Sequence, residues 1–472
     1  MTGWALIIVF LLAIVLMVVC ISRWKVHPFL AIMGVAILLG FLAGIPIVNR
    51  TDADGVVVTT GIAGIIGQGF SAIFTGIGIV IIFGALIGSF LEATGGAFKI
   101  ADMVVKVLGR RNPTLSIVVM GWIVSIPVFC DSGFVILNPV RRSIVKRTGA
   151  SGVATAVGLG AGLYTSHVLV PLTPGPLGAA ELLYLGDFLL LVMGVSVVVS
   201  IPGLIAAYLW AVRCGKRTQS KEDLEIAQNE TVKTYEELVK EFGGLPNGFL
   251  SIAPILVPIL CMALGSIASN TELFGTAGPF RDFMIFIGTP VIALGVGLLF
   301  AILLLATSRK MEKFNNLTNE TLKMLGPILF ITGAGSVLGR VIAVSDMVPF
   351  ISEHSGVLAG LGLFFPFLVS AIIKTAQGSS TVAMITTAGI MAPLMYTLGM
   401  GTPIMAALTV MAIGAGSMMA SHANDSYFWV VSNLSEMTPE QGYKNWTSMT
   451  VVQGIAVMLG VFVFGLVVRL VA

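Results

Sequence analysis

Charge is scarce in this sequence. Only 26 Lys and Arg and 23 Asp and Glu occur among 472 residues, against 56% hydrophobic residues and a mean hydropathy of +1.00. So little charge cannot clothe a soluble globular domain, which leaves a polytopic membrane protein. The net charge of +3 gives no sign of nucleic acid; what matters is where the basic residues fall. Cysteine is equally sparse. Cys20, Cys130, Cys214 and Cys261 stand singly, without metal-site or disulfide spacing, and read as packing residues. The apolar run from Trp4 to Cys20 lacks a basic leader and a small-residue cleavage site, so a retained first span is expected there, not a signal peptide.

What is present is repetition, at a shift of about 250 residues. Gly84, Ala85 and Leu86 return as Gly333, Ala334 and Gly335. FCDSGFV, with Asp131, Ser132 and Gly133, answers KTAQGSSTV, with Lys374, Gln377, Gly378, Ser379, Ser380 and Thr381. GAGLYTSHV, with Thr165, Ser166 and His167, answers GAGSMMASHANDS, with Ser421 and His422. Polar, glycine-marked breaks at matching places in two apolar halves are what a transporter site between repeats requires.

The chain is long enough for about ten spans of about 20 residues each. Basic clusters at Arg23 and Lys25, from Lys99 to Arg111, from Arg141 to Arg147, from Arg213 to Lys240 and from Arg309 to Lys313 mark the cytoplasmic side. The intervening loops are poor in Lys and Arg and carry Asp52, Asp54, Glu181, Glu272, Asp282, Asp346 and Glu353. Spans are expected at 4–21, 28–48, 72–92, 187–210, 249–268, 284–307, 324–344 and 448–470, with 55–70 interfacial. Thr114 to Val140 has basic clusters at both ends, yet two crossings need about 40 residues and only about 27 are available. A re-entrant hairpin over 114–140 is therefore expected, with its tip near Asp131, and a broken helix over 152–176 follows it. Five crossings in the first half put the second half in upside down.

The expected architecture is thus an all-α polytopic membrane protein: an inverted repeat of about five plus five helices, two opposed re-entrant hairpins and two broken helices. Residues 1–212 form the first repeat and 213–248 a cytoplasmic linker, read as a solvated connector with an amphipathic helix as the alternative. Residues 249–472 form the second repeat, with a hairpin at 357–398 and a broken helix at 403–433.

GSSTVA, SHANDSYFW and the PxTPGP turn resemble the hallmark segments of the gluconate:proton symporter (GntP) family, and the likeness spans nearly the whole chain. The resemblance implies a secondary transporter of small hydroxylated carboxylates in the bacterial inner membrane, gluconate above all, with D-serine or other hydroxy acids for some relatives. It also implies the ion-transporter superfamily fold, a moving part against a scaffold, and a homodimer. Asp131 stands where the family tends to have Glu, Lys374 where it has Arg, and Thr173 where it has His. If these groups touch substrate, a smaller acid such as glycerate would suit them.

A hydroxylated anion at the bilayer midplane needs a partner for every polar group. Half-helix N-termini at the hairpin tips offer free N–H groups, Gly133 and Gly378 allow close backbone approach, and Ser132, Ser379, Ser380 and Thr381 offer hydroxyls. Lys374 either neutralises the anion or snorkels from a helix end. Thr165, Ser166, Thr173, Gln377 and Asn424 complete the candidate substrate set. Asp131 is the first candidate for proton coupling; a salt bridge and a hairpin cap are its alternatives. Asp425 is the second, with capping of a half-helix as its alternative. His167 and His422, at matching sites, are candidate ligands or proton relays, and neither has metal spacing around it. Tyr427, Phe428 and Trp429 read as packing or interface residues, and Glu92, Glu181 and Arg340 as interfacial ones. Sodium is the alternative coupling ion. A channel is disfavoured by the lack of a filter motif, and an embedded enzyme by the lack of a nucleophile–base pair; Ser166 and His167 are helix neighbours that point apart. No cofactor is expected.

Overall fold

The computed structural model describes residues 3–51, 54, 57–108, 112–227, 244–270, 274, 277–353 and 361–471. Helices dominate; the strands among the described residues are Arg50–Thr51 and Val57–Thr59, which pair antiparallel as a short ribbon. Among the described residues, seven helices are long and apolar enough to cross a membrane, and an eighth span results if Ile62–Gly76 and Ile79–Thr94, bent by 47°, count as one.

The two halves pack alike. Gly152–Leu169 lies against Pro113–Val124, Cys130–Thr148 and Leu189–Arg217, while Pro403–Ser417 lies against Phe364–Gln377, Ser380–Met391 and Ser448–Val471. Every residue of Gly152–Leu169 is buried, because small side chains let its neighbours press against the backbone. A Cβ on Gly162 would fall 2.0 Å from the Val118 carbonyl oxygen, and one on Gly416 would fall 2.3 Å from that of Phe367. Leu189–Arg217 and Ser448–Val471 pack on each other and join the halves. Outside this centre the halves exchange partners: Phe314–Val344 packs on Pro28–Leu42, and Ile79–Thr94 on Pro290–Thr307. Leu12, Leu209, Leu299 and Leu459 point outward, as side chains solvated by lipid tails do.

Several spans differ from their sequence-based bounds. The second helix stops at Leu42, and the ribbon, unforeseen, follows it. The segment expected to divide near residue 71 divides instead at a π-helical turn, Phe74–Gly78, where Glu181 packs so close that a Cβ on Gly76 would overlap its carboxylate. The span expected over 284–307 is two helices, Pro279–Gly288 and Pro290–Thr307, because Pro290 holds Thr289 in an extended conformation. The helix expected to start at 324 starts at Phe314 and runs 31 residues to Val344. Lys99 and Lys106 lie in a helix, Gly96–Leu108, not in a turn. The hairpin expected from residue 357 is described from residue 361 onward, and its first helix is Phe364–Gln377.

Of the linker, Lys221–Ala227, the start of the run read as a possible amphipathic helix, is helical, while 228–243 lies outside the described residues. Its start is not simply solvated. Glu222, fully buried, pairs with the buried Arg141 at 2.6 Å, and Arg141 also donates to the carbonyl of Gly152 at 3.0 Å. Asp223 accepts from the Gly152 N–H at 2.5 Å, and Arg142 reaches Glu436 at 3.3 Å. Asn138 donates to the Leu434 carbonyl at 2.9 Å. One clasp thus ties the linker to Cys130–Thr148 and to the ends of both central segments.

Candidate functional site

Two tight turns and two helix breaks converge. Ser125–Phe129 joins Pro113–Val124 to Cys130–Thr148, and Ser125 braces the turn by donating to the Val128 carbonyl at 2.8 Å. Gly378 and Ser379 join Phe364–Gln377 to Ser380–Met391. Gly378 has φ +92°, and a Cβ there would sit 2.1 Å from the Asn424 carbonyl oxygen, so only glycine lets this turn meet the second break. The first break, 170–173, is fixed by Pro174, which opens Pro174–Leu182; the second, 418–425, ends where Asp425 caps Ser426–Leu434. Gly175 packs against Thr381 and Met384, bringing the first break to the second turn.

A cavity of about 410 Å³ opens where they meet. Its polar lining includes Asp131, Tyr164, His167, Gln377, Ser379, Ser380, Thr381, Asn424, Asp425, Ser426 and Tyr427; Phe314–Val344 contributes Met324, Ile328 and Ile331 from one face. Two buried polar atoms of this lining, Nδ1 of His167 and Oδ1 of Asn424, have no hydrogen-bond partner. Asp131, in the first turn of Cys130–Thr148, accepts from the Ser426 hydroxyl at 3.3 Å and from the Cys130 thiol at 3.5 Å. Among the described residues, no three His, Cys, Asp or Glu side chains group as metal ligands.

Other expected site residues lie elsewhere. Lys374 neither snorkels nor faces the cavity: its buried ammonium donates to the Gly378 carbonyl and, at 2.6 Å, to Asp425 Oδ2. Asp425 is occupied on both oxygens, Oδ1 accepting from the Tyr427 N–H at 3.1 Å and Oδ2 also from Ser421 at 2.5 Å. Thr173 turns its hydroxyl to the His167 carbonyl at 2.7 Å. Ser166 donates to the Trp122 carbonyl, and Thr165 to that of Ala161 at 2.8 Å. Ser132 lies beside Glu92, and Gly133 packs on Leu163. His422 Nε2 lies 3.0 Å from the Thr375 carbonyl, to which Asn424 donates at 2.9 Å. The two histidines therefore differ: His167 lines the cavity, and His422 braces a helix end.

The sequence argument missed Tyr164, Tyr427 and Glu92. Tyr164 shares a hydrogen bond with Ser380 at 2.7 Å and donates to the Ser417 carbonyl at 3.2 Å. It precedes His167 by three residues on one helix, and that spacing puts both on one face. Tyr427, expected only to pack, lines the cavity and donates to the Gly160 carbonyl at 3.1 Å. Glu92, expected at an interface, lies beside Ser132 in the first turn of Cys130–Thr148.

A profile described as GntP family permease matches residues 4–467. The chain belongs to the GntP permease family. This permease is 30% identical over 466 residues to the gluconate permease of Zymomonas mobilis, covering 98% of each chain. It is 30% identical over 465 residues to the gluconate permease of Pseudomonas aeruginosa, covering 97% of each. Its fold is similar to the crystal structure of the YdaH transporter of Alcanivorax borkumensis, with a TM-score of 0.59 at 14% identity, covering 93% of this chain and 97% of that one. The GntP permease is therefore a multi-pass transporter of the bacterial inner membrane and not an enzyme.

Proposed function

We propose that the protein is a proton-coupled symporter that imports gluconate or a closely related small hydroxy-carboxylate. The observation that carries this is the division of the cavity lining: every polar group comes from the two turns, the two breaks and the segments beside them, and Phe314–Val344 supplies only the apolar Met324, Ile328 and Ile331. Substrate held by those polar groups can travel with the bundle that carries them while that bundle slides past Phe314–Val344. This favours an elevator-like alternating access over a fixed channel. The alike packing of the halves, with exchanged outer partners, supports an inverted repeat, and the short paired helices around 125–129 and 378–379 support re-entrant hairpins.

The unpaired His167 Nδ1 and Asn424 Oδ1 would bind hydroxyls, and the uncapped N-terminus at Cys130 would receive the carboxylate. Volume favours a polyhydroxylated acid, since about 410 Å³ is ample for a small ligand. Lys374 and Thr173, two residues that pointed to a smaller acid, turn away from the cavity, which weakens that alternative. The names of the two gluconate permeases support the same substrate class.

Asp131 carries the coupling proton in this mechanism, because it lines the cavity beside a hydroxyl and a thiol with no ion-pair partner among the described residues. Proteoliposome uptake of labelled gluconate, glycerate and D-serine under an imposed pH gradient tests the proposal. One proton per anion permits about tenfold accumulation per pH unit. Asp131→Asn should abolish accumulation and retain exchange; unchanged accumulation would remove Asp131 from coupling.

A further inference from the structure

Lys374 stands in the last turn of Phe364–Gln377, behind the cavity lining, and its surroundings are those of a bound cation. Its ammonium meets the carbonyl of Gly378, where the helix ends, and the carboxylate of Asp425 at 2.6 Å. Ser421 Oγ lies 2.5 Å from the same carboxylate oxygen, and the ring of Tyr164 is centred 5.8 Å from Nζ. A carboxylate, a carbonyl at the negative end of a helix and a hydroxyl next to them are hard oxygen donors, the kind that hold Na⁺ where transporter helices are interrupted. Here one end of that set is a hairpin turn and the other a helix break, so whatever cation joins them also fixes the cavity wall between Gly378 and Asp425.

We propose that this is a built-in cation site, in which the tethered ammonium of Lys374 permanently occupies the place a sodium ion would take, so that the protein assembles its site and binds substrate without sodium. The proposal deepens the proton-symport reading above and rests on it for its meaning in transport. Its physical content is separate. A second cation beside the ammonium would be repelled at contact distance in a poorly hydrated interior. Removing the ammonium leaves a buried carboxylate uncompensated, a state that recruits a counter-ion. Ser421, now a donor to Asp425, can turn its hydroxyl and present a lone pair instead.

The test is thermal unfolding of purified full-length protein in detergent, in sodium chloride against choline chloride at equal ionic strength. Wild type should unfold at the same temperature in both salts. Lys374→Ala should gain stability in sodium alone, rising to saturation, and Lys374→Ala with Asp425→Asn should lose that response. Lys374→Arg, which keeps a tethered cation, should stay indifferent to sodium. A specific sodium stabilisation of wild type would overturn the proposal, as would a Lys374→Ala protein equally stable in both salts. So would failure to recover that variant in sodium as well as in choline, since a latent site must accept the ion. This readout needs no transport: a sodium-responsive Lys374→Ala protein whose parent imports no hydroxy acid would leave the site standing and remove the symport reading alone.

Discussion

Gly378→Ala isolates the junction on which the cavity depends. Two costs fall on it. The φ of +92° is a left-handed conformation that costs an L side chain about 1–2 kcal/mol, and the added Cβ would meet the Asn424 carbonyl oxygen at 2.1 Å and its carbon at 2.7 Å. Both neighbours are backbone and cannot rotate away, so the turn and the break must part by about 1 Å, an overpacking cost of about 1–3 kcal/mol. That displacement draws Asn424 out of the cavity wall and pulls the Gly378 carbonyl from Lys374. If about 2–4 kcal/mol of this is felt by the substrate site, affinity falls about 30- to 1,000-fold. Gly149→Ala is the matched control, with φ +69° and nothing within 4 Å of its Cβ, so it suffers the conformational cost without the collision. Calorimetric binding of gluconate to the two purified variants separates the terms. Equal affinity in both would refute the claim that backbone contact between turn and break builds the site.

Two further outcomes follow from other contacts. Glu222→Gln should destabilise the protein by about 3–5 kcal/mol, since it strands the buried Arg141 charge; Arg141→Met should cost less, because Arg142 still lies 3.6 Å from Glu222, and Arg141→Met with Glu222→Met should recover most of the loss, read as the unfolding temperature in detergent. Tyr164→Phe removes the hydroxyl shared with Ser380 and donated to Ser417 and should cost about 1–2 kcal/mol, seen as weaker substrate binding with normal membrane insertion.

Much of the design is visible in the chain itself because bilayers impose simple rules. Apolar runs marked the spans, and the TPGP turn, Gly378 and the SHANDS segment marked the breaks; proline alone did not, since Pro139, Pro202, Pro254, Pro258 and Pro327 lie inside helices. Partnerships were another matter. Nothing local says that Lys374 meets Asp425, 51 residues on, and a lysine near a helix end fits snorkelling equally well. Asp425 was correctly suspected of capping, because an Asp ahead of a helix reads so. Thr165, Ser166 and Thr173 look like ligands in sequence, yet each places its hydroxyl on a carbonyl: Thr165 one turn back on its own helix, Ser166 across to Trp122 and Thr173 across the break to His167. The symmetry argument overreached for the histidines: matching positions carry His167 to the cavity and His422 to a helix end.

The clasp around Arg141 sets a timetable for biogenesis. Asn138 and Leu434 are 296 residues apart, and Glu436 follows Leu434, so at bacterial elongation rates of about 5–20 residues per second the first hairpin waits about 15–60 s for partners the ribosome has yet to make. Through that interval the carboxamide of Asn138 waits for its acceptor, while Arg142 already has Glu222, 3.6 Å away. A chain stopped before residue 434 would hold Cys130–Thr148 without that acceptor.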